Sequence, residues 1–149
     1  MRREQDSLNP RTHANVMMLS HDEDSVRHPY WYARIIGLFH VVVRHPSSIN
    51  PINLDVVRVR WYGKDPDSSY QSGWKAYRLP RIGFVEYTED SSTSSSPAFG
   101  FVDPLHIIRG VHLIPAFHHG MTNELLPPSK SARLPAEGDL DFNFFYVNM

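Results

Sequence analysis

The chain has no cysteine, which excludes disulfide bonds, thiolate zinc sites and a thiol nucleophile and suits an intracellular protein. It has no apolar run near the roughly 18 residues of a membrane span and no apolar signal-peptide centre, so it reads as soluble, without a membrane partner. Neither sign of charge is in excess. Fifteen Lys and Arg stand against 16 Asp and Glu, which removes any global attraction to nucleic acid and leaves only a local basic patch. A Gly-rich phosphate loop, a Gly-x-Ser-x-Gly elbow and a fixed-period repeat are also missing. Acidic clusters occur at Asp22-Glu23-Asp24 and Glu89-Asp90, in segments of low order where carboxylates are simply hydrated rather than held as an acid and base pair. No catalytic residue, metal site or cofactor is expected.

What the chain does contain is β signal. Its 149 residues are the size of one domain with one core. Tyr30–His45 is rich in β-branched and aromatic residues with no helix cap before it, and reads as one long strand. Gly37 inside it marks a bulge or a close backbone approach. Prolines 46 and 51 and the polar residues between them reverse the chain into Leu54–Tyr62, making a long hairpin. In Val57-Arg58-Val59-Arg60-Trp61 the two-residue period sets Val57, Val59 and Trp61 on one face and both arginines on the other, a strand half in water.

Further on, Gly63–Ser69 reads as a polar loop, while Trp74–Leu79 and Ile82–Tyr87 read as short strands punctuated by Pro80 and Gly83. Thr88–Pro97, acidic and serine-rich, reads as a mobile loop. Phe99–Val102 pairs as a strand. Asp103 and Pro104 then start one helical turn at 104–109, closed by Gly110, and Val111–Phe117 follows as a strand. The apolar ending Phe142–Met149 either closes the sheet or marks a fragment of something longer. Residues 1–27, with only Val16–Leu19 apolar, read as a flexible tail or edge-strand arm. The fold expected is mostly β, a single bent barrel over residues 28–149 with long polar loops.

The strings HPYWYARIIGLFH, RVRWYGKDPD, SGWKAYRLPRIGF, AFGFVDPLHIIRGVHLIPAF and FYVNM resemble a module in transposon-derived proteins of mushroom-forming fungi, of the Kyakuja-Dileera-Zisupton and Plavaka type. The resemblance covers Pro29 to Met149 and implies relatives that continue past FYVN, hence a truncated end. Ala33-Arg34-Ile35, then Val59-Arg60-Trp61-Tyr62 before an acidic, proline-containing loop, and later Pro104–Gly110, are also similar in order to bromo-adjacent homology domains. That likeness implies an SH3-like bent barrel and a chromatin partner, and with it a nuclear setting. Gly63-Lys64-Asp65-Pro66-Asp67 lacks the Arg-Pro pairing usual in that family.

Three residue groups are candidates for function. Trp31, Tyr62, Trp74 and Tyr77 lie near strand ends, where a barrel mouth gathers rings around a methylated ammonium; cross-strand core packing is the commoner use of such rings. Arg58, Arg60, Arg78 and Arg81, with Arg34, Arg44 and Lys75 nearby, would make a phosphate-binding stripe if they converged. Paired with acids such as Asp55, Asp65 or Glu86, they would be an ordinary solvated face. Val111-His112-Leu113-Ile114-Pro115 is superficially similar to the His-containing strand of His-Asn-His nucleases, but no histidine follows His119 to complete a metal site. The expected function is therefore a non-catalytic interaction module that binds protein or chromatin through the aromatic rim. Nucleic-acid binding through the basic face and a metal-dependent nuclease are the alternatives, and the oligomeric state is left open.

Overall fold

The computed structural model describes residues 8–10, 13–20, 29–67, 71–73, 76–86, 98–129, 132, 136 and 138–148. Strands β1 (Asn15–Leu19), β2 (Tyr30–Val43), β3 (Ile52–Lys64), β4 (Arg81–Phe84) and β5 (Phe99–Val102) are followed by β6 (Ile107–Gly110) and β7 (His112–Pro115). The last three are β8 (Met121–Thr122), β9 (Asp141–Phe142) and β10 (Phe145–Asn148). All pairings are antiparallel. The main sheet runs β6-β1-β2-β3-β4-β10-β7, with β5 against β3 as well, and β8 pairs β9 separately.

The β2–β3 ladder is the spine. It runs from Tyr32 opposite Tyr62 to Val43 opposite Ile52, with one shift between Ile35 and Gly37. That is the bulge expected at Gly37, where the Phe39 ring folds back over the backbone: a Cβ there would lie 2.8 Å from Cε2 of Phe39 and displace the ring.

The expected barrel is not closed. Both edges of the sheet belong to one extended run, β6 and β7, separated only by Val111, whose N–H donates to the Asn15 carbonyl at 2.9 Å. This run hands over from β1 to β10, so the sheet curls without its edges bonding side by side. Strand lengths also oppose closure, because the four-residue strands β4, β7 and β10 cannot flank a fourteen-residue β2 along its length.

Burial falls on both faces of the sheet. Met17, Tyr32, Tyr62, Ile82, Phe84, Leu113, Phe145 and Val147 form the core on the inner face of the curl. Val16, Met18, Ala33, Ile35, Val57, Val59 and Val102 pack on the opposite face with Trp31 and Trp61. Each fully buried aliphatic side chain here contributes about 1.5–3 kcal/mol.

Three expectations are corrected. Residues 15–19, read within the N-terminal tail or edge arm, form β1 between β2 and β6, because Val16, Met17 and Met18 are buried on alternate faces. Asp103 does cap a turn, accepting from Leu105 N–H at 2.8 Å, but the turn is a 3-10 segment ending at His106. Ile107–Gly110 is strand instead, since β-branched residues with an open partner in β1 pair more readily than they coil. Ala76–Leu79 forms a tight turn rather than a strand, with Tyr77 at φ 50 and a bridge between Gly73 and Arg78. The serine-rich 88–97 segment lies outside the described residues. No helix of the described residues is long and apolar enough to cross a membrane.

Close packing on the outer face gives a test. A Cβ at Gly100 would meet Nε1 of Trp61 at 2.6 Å, so Gly100→Ala should destabilise the protein by about 1–3 kcal/mol. Urea unfolding followed by tryptophan fluorescence measures this, and an unchanged midpoint would contradict the packing.

Candidate functional site

The aromatic rim divides between the two faces of the sheet. Trp31 packs edge-on against Trp61 with centroids 5.7 Å apart, beside the Val16 cluster. Tyr62 is on the other face, 7 % exposed, stacked on Phe84 at 4.4 Å and donating from its hydroxyl to Asn15 Oδ1 at 3.0 Å. Tyr77 stands 90 % exposed on its turn, and Trp74 lies outside the described residues. Trp31 and Tyr62 therefore cannot share a cage, because successive residues Trp61 and Tyr62 point to opposite faces.

The basic face is used up from within. Arg60 is fully buried. Its guanidinium donates to the carbonyls of Leu125 and Ala98 at 3.0 Å each and to Val85, and it lies 5.0 Å from the ring centres of both Phe84 and Phe99. Four segments meet on that one side chain, so the expectation that Arg60 faces phosphate is overturned. A buried cation survives only when carbonyl oxygens replace its water.

Arg34, directly across the ladder from Arg60, donates to buried Asp141 at 2.7 Å and sits 5.0 Å over Phe84. Burial works against the Arg34 charge, but neighbouring Tyr62 and Asp141 outweigh it and hold the pKa above its ordinary value. Burial likewise pushes the Tyr62 hydroxyl up, opposed by Arg34. Arg81 donates from Nε to Asp65, lies 3.5 Å from Asp67 and donates to Nε2 of His119 at 2.9 Å. Of the four arginines proposed for the stripe, Arg58 and Arg78 have exposed side chains, one on β3 and one on the Tyr77 turn; the structure does not bring the four together.

His112 is exposed on β7 opposite Asn148. Among the described residues no three His, Cys, Asp or Glu side chains are grouped to hold a metal ion.

The feature that the site residues did not include is the outer half of the hairpin. Beyond the bulge, the register sets Phe39 opposite Val56, Val41 opposite Leu54 and Val43 opposite Ile52. Cross-strand partners share a face, so six apolar side chains line one side of a two-stranded arm. Phe39, Val41, Val43, Ile52 and Leu54 are 36–50 % exposed. At the arm's base the same face continues to Phe101, 70 % exposed and paired with Arg58. On the reverse side His40 Nδ1 meets Asp55 Oδ1 at 2.6 Å, with Asn53 beside Val42. The alternation Phe39-x-Val41-x-Val43 and Ile52-x-Leu54-x-Val56 is present in the sequence; that no layer of the described residues covers it is not.

Comparison with protein-family models, with curated proteins and with solved structures finds no match to this chain.

Two measurements test these assignments. Arg60→Ala, which takes the guanidinium from the Leu125, Val85 and Ala98 carbonyls and leaves a cavity, should cost about 3–5 kcal/mol, whereas Arg58→Ala should stay within about 0.5 kcal/mol; equal losses on urea unfolding would refute the buried hub. Tyr32 is pushed from 10.0 to about 12 by burial and by Tyr30, against Arg109. A folded-state value above the unfolded one adds stability below pH 10 that is lost as pH rises toward 12. Unfolding free energy should thus fall across that window, and the Tyr32→Phe variant should show a shallower fall; parallel curves would count against the assignment.

Proposed function

We propose that the chain is a non-catalytic interaction module that binds protein through the apolar face of its hairpin arm, rather than through an aromatic cage. The observation that carries this reading is the uncharged face of Phe39, Val41, Val43, Ile52, Leu54 and Val56, left open while the neighbouring arginines Arg34, Arg60 and Arg81 are engaged internally. Exposed contiguous apolar surface on this scale marks interaction sites. The curled, open antiparallel sheet supports a bent architecture of the SH3-like, bromo-adjacent-homology type. The similarity in order to bromo-adjacent homology domains supports a chromatin setting for the partner, and the resemblance to transposon-derived proteins a mobile-element context. Nucleic-acid binding keeps one foothold, exposed Arg58 beside Phe99 with Cζ 5.8 Å from the ring centre.

Panning a random peptide library on the protein tests the reading. Selected peptides should carry apolar residues at alternate positions, change affinity less than about twofold between low and physiological salt, and bind at least about tenfold more weakly to a Val41→Asp, Leu54→Asp double variant. Equal binding by that variant would refute the arm as the site. Binding only to duplex DNA, weakening steeply with salt, would transfer the function to the basic alternative.

A further inference from the structure

We propose that the occupant of the arm's apolar face is the same face of a second copy of this chain. This rests on the preceding reading that the face binds protein, and names the partner. The six paired residues are all apolar, with exposed Arg58 at the base of the same face, so most of the strip offers no handle to a charged partner and is matched by a surface equally apolar. Its own twin is such a surface. Three cross-strand pairs line it, with Val41 and Leu54 in the middle. A two-fold axis through that middle pair sets the Phe39 end of one arm over the Val43 end of the other, a self-complementary contact that closes on itself and stops at two copies.

The area agrees. Five side chains at 36–50 % exposure, with Phe101 at 70 %, offer on the order of 600 Å2, the upper end of what a monomer leaves open. Two such faces cover about 1,200 Å2, the lower bound for a specific interface. A concentration-dependent dimer follows, not a permanent one.

The arm itself needs the second layer. From Leu38 outward β2 passes beyond β1, and before Val57 β3 passes beyond β5. A two-stranded ribbon is marginal in water, and packing a third element on its apolar side is what stabilises such ribbons. The reverse face is mixed, with the His40–Asp55 pair and Asn53 set among exposed Leu38 and Val42, so it offers no continuous apolar strip.

Sedimentation velocity over about 1–200 μM, a span that brackets weak association, should show the 17.2 kDa chain passing from monomer to dimer. Val41→Asp with Leu54→Asp should stay monomeric, while Leu38→Asp with Val42→Asp, on the reverse face, should still dimerise. Circular dichroism confirms that each variant is folded. A second readout uses the absence of native cysteine: on mild oxidation Val41→Cys should crosslink into dimers and His40→Cys, one residue away on the other face, should not. A wild type that stays monomeric while still capturing peptides would overturn the dimer and leave the protein-binding reading intact. A dimer that survives the Val41, Leu54 variant, or equal crosslinking at both positions, would place the contact elsewhere and also overturn it. Failure of both peptide capture and dimerisation would remove both readings.

Discussion

One inserted residue sets the character of this molecule. Val59 opposes Ile35 but Arg58 opposes Gly37, so Ile36 is the extra residue in the β2–β3 ladder. A one-residue slip moves every later side chain to the other face. Without it, Phe39 would face Asp55 and Val41 would face Asn53, and apolar and polar residues would mix on both sides of the arm. With it, six apolar residues of the two strands gather on one side, and His40, Asp55 and Asn53 gather on the other with Leu38 and Val42. At Gly37 the Phe39 ring occupies the space where a side chain would begin, so glycine leaves room for the ring beside the bulge.

Toward the body, the same inner face is crowded with cations. Arg34 and Arg60 face each other across the ladder, an arrangement that like charges disfavour. It persists because each guanidinium is given separate partners: Asp141 for Arg34, carbonyls from three segments for Arg60. Phe84, at 5.0 Å from both, supplies a polarisable surface to the two charges. Arg60 in this way ties β3 to Leu125, 65 positions away in the chain, and adds to the backbone bonds that already join it to Val85 and Ala98. The charges that a sequence reader would assign to the surface hold the interior together.

This explains what the sequence discloses and what it hides. The two long strands, the turn between them and the bulge are legible because β-branched composition, proline pairs and a lone glycine act locally. Alternation correctly assigns Arg58 and Arg60 to one face. It is silent on which part of that face is covered, and the answer differs within two residues: Arg60 lies under segments 25 to 65 positions away in the chain, while Arg58 lies where coverage ends. Arg81 was separable in principle, since Asp65 stands among the acids available to it. The barrel failed as an expectation for a related reason. Run length in a sequence does not reveal that β4, β7 and β10 are too short to flank the spine. Val16–Leu19 does not read as an inner strand because four apolar residues in a polar context carry little periodic signal, though β2 and β6 supply neighbours on both sides.

Coverage of the inner face therefore ends along a definite line. From Tyr32 to Arg60 it is roofed by β4, β10 and the Leu125 segment, and at Phe99–Phe101 the roof stops. Beyond that line the face continues unchanged in direction and becomes wholly apolar. A hydrophobic core and the arm's open side are thus one continuous surface, divided by where the described elements cease to lie over it. Rigid pairing prevents the alternative of collapse, because six consecutive cross-strand pairs from Leu38 opposite Val57 to Val43 opposite Ile52 keep the ribbon extended. An extended, uncharged strip with its polar residues confined to the back is completed by a layer, not by a ligand lodged in a cavity.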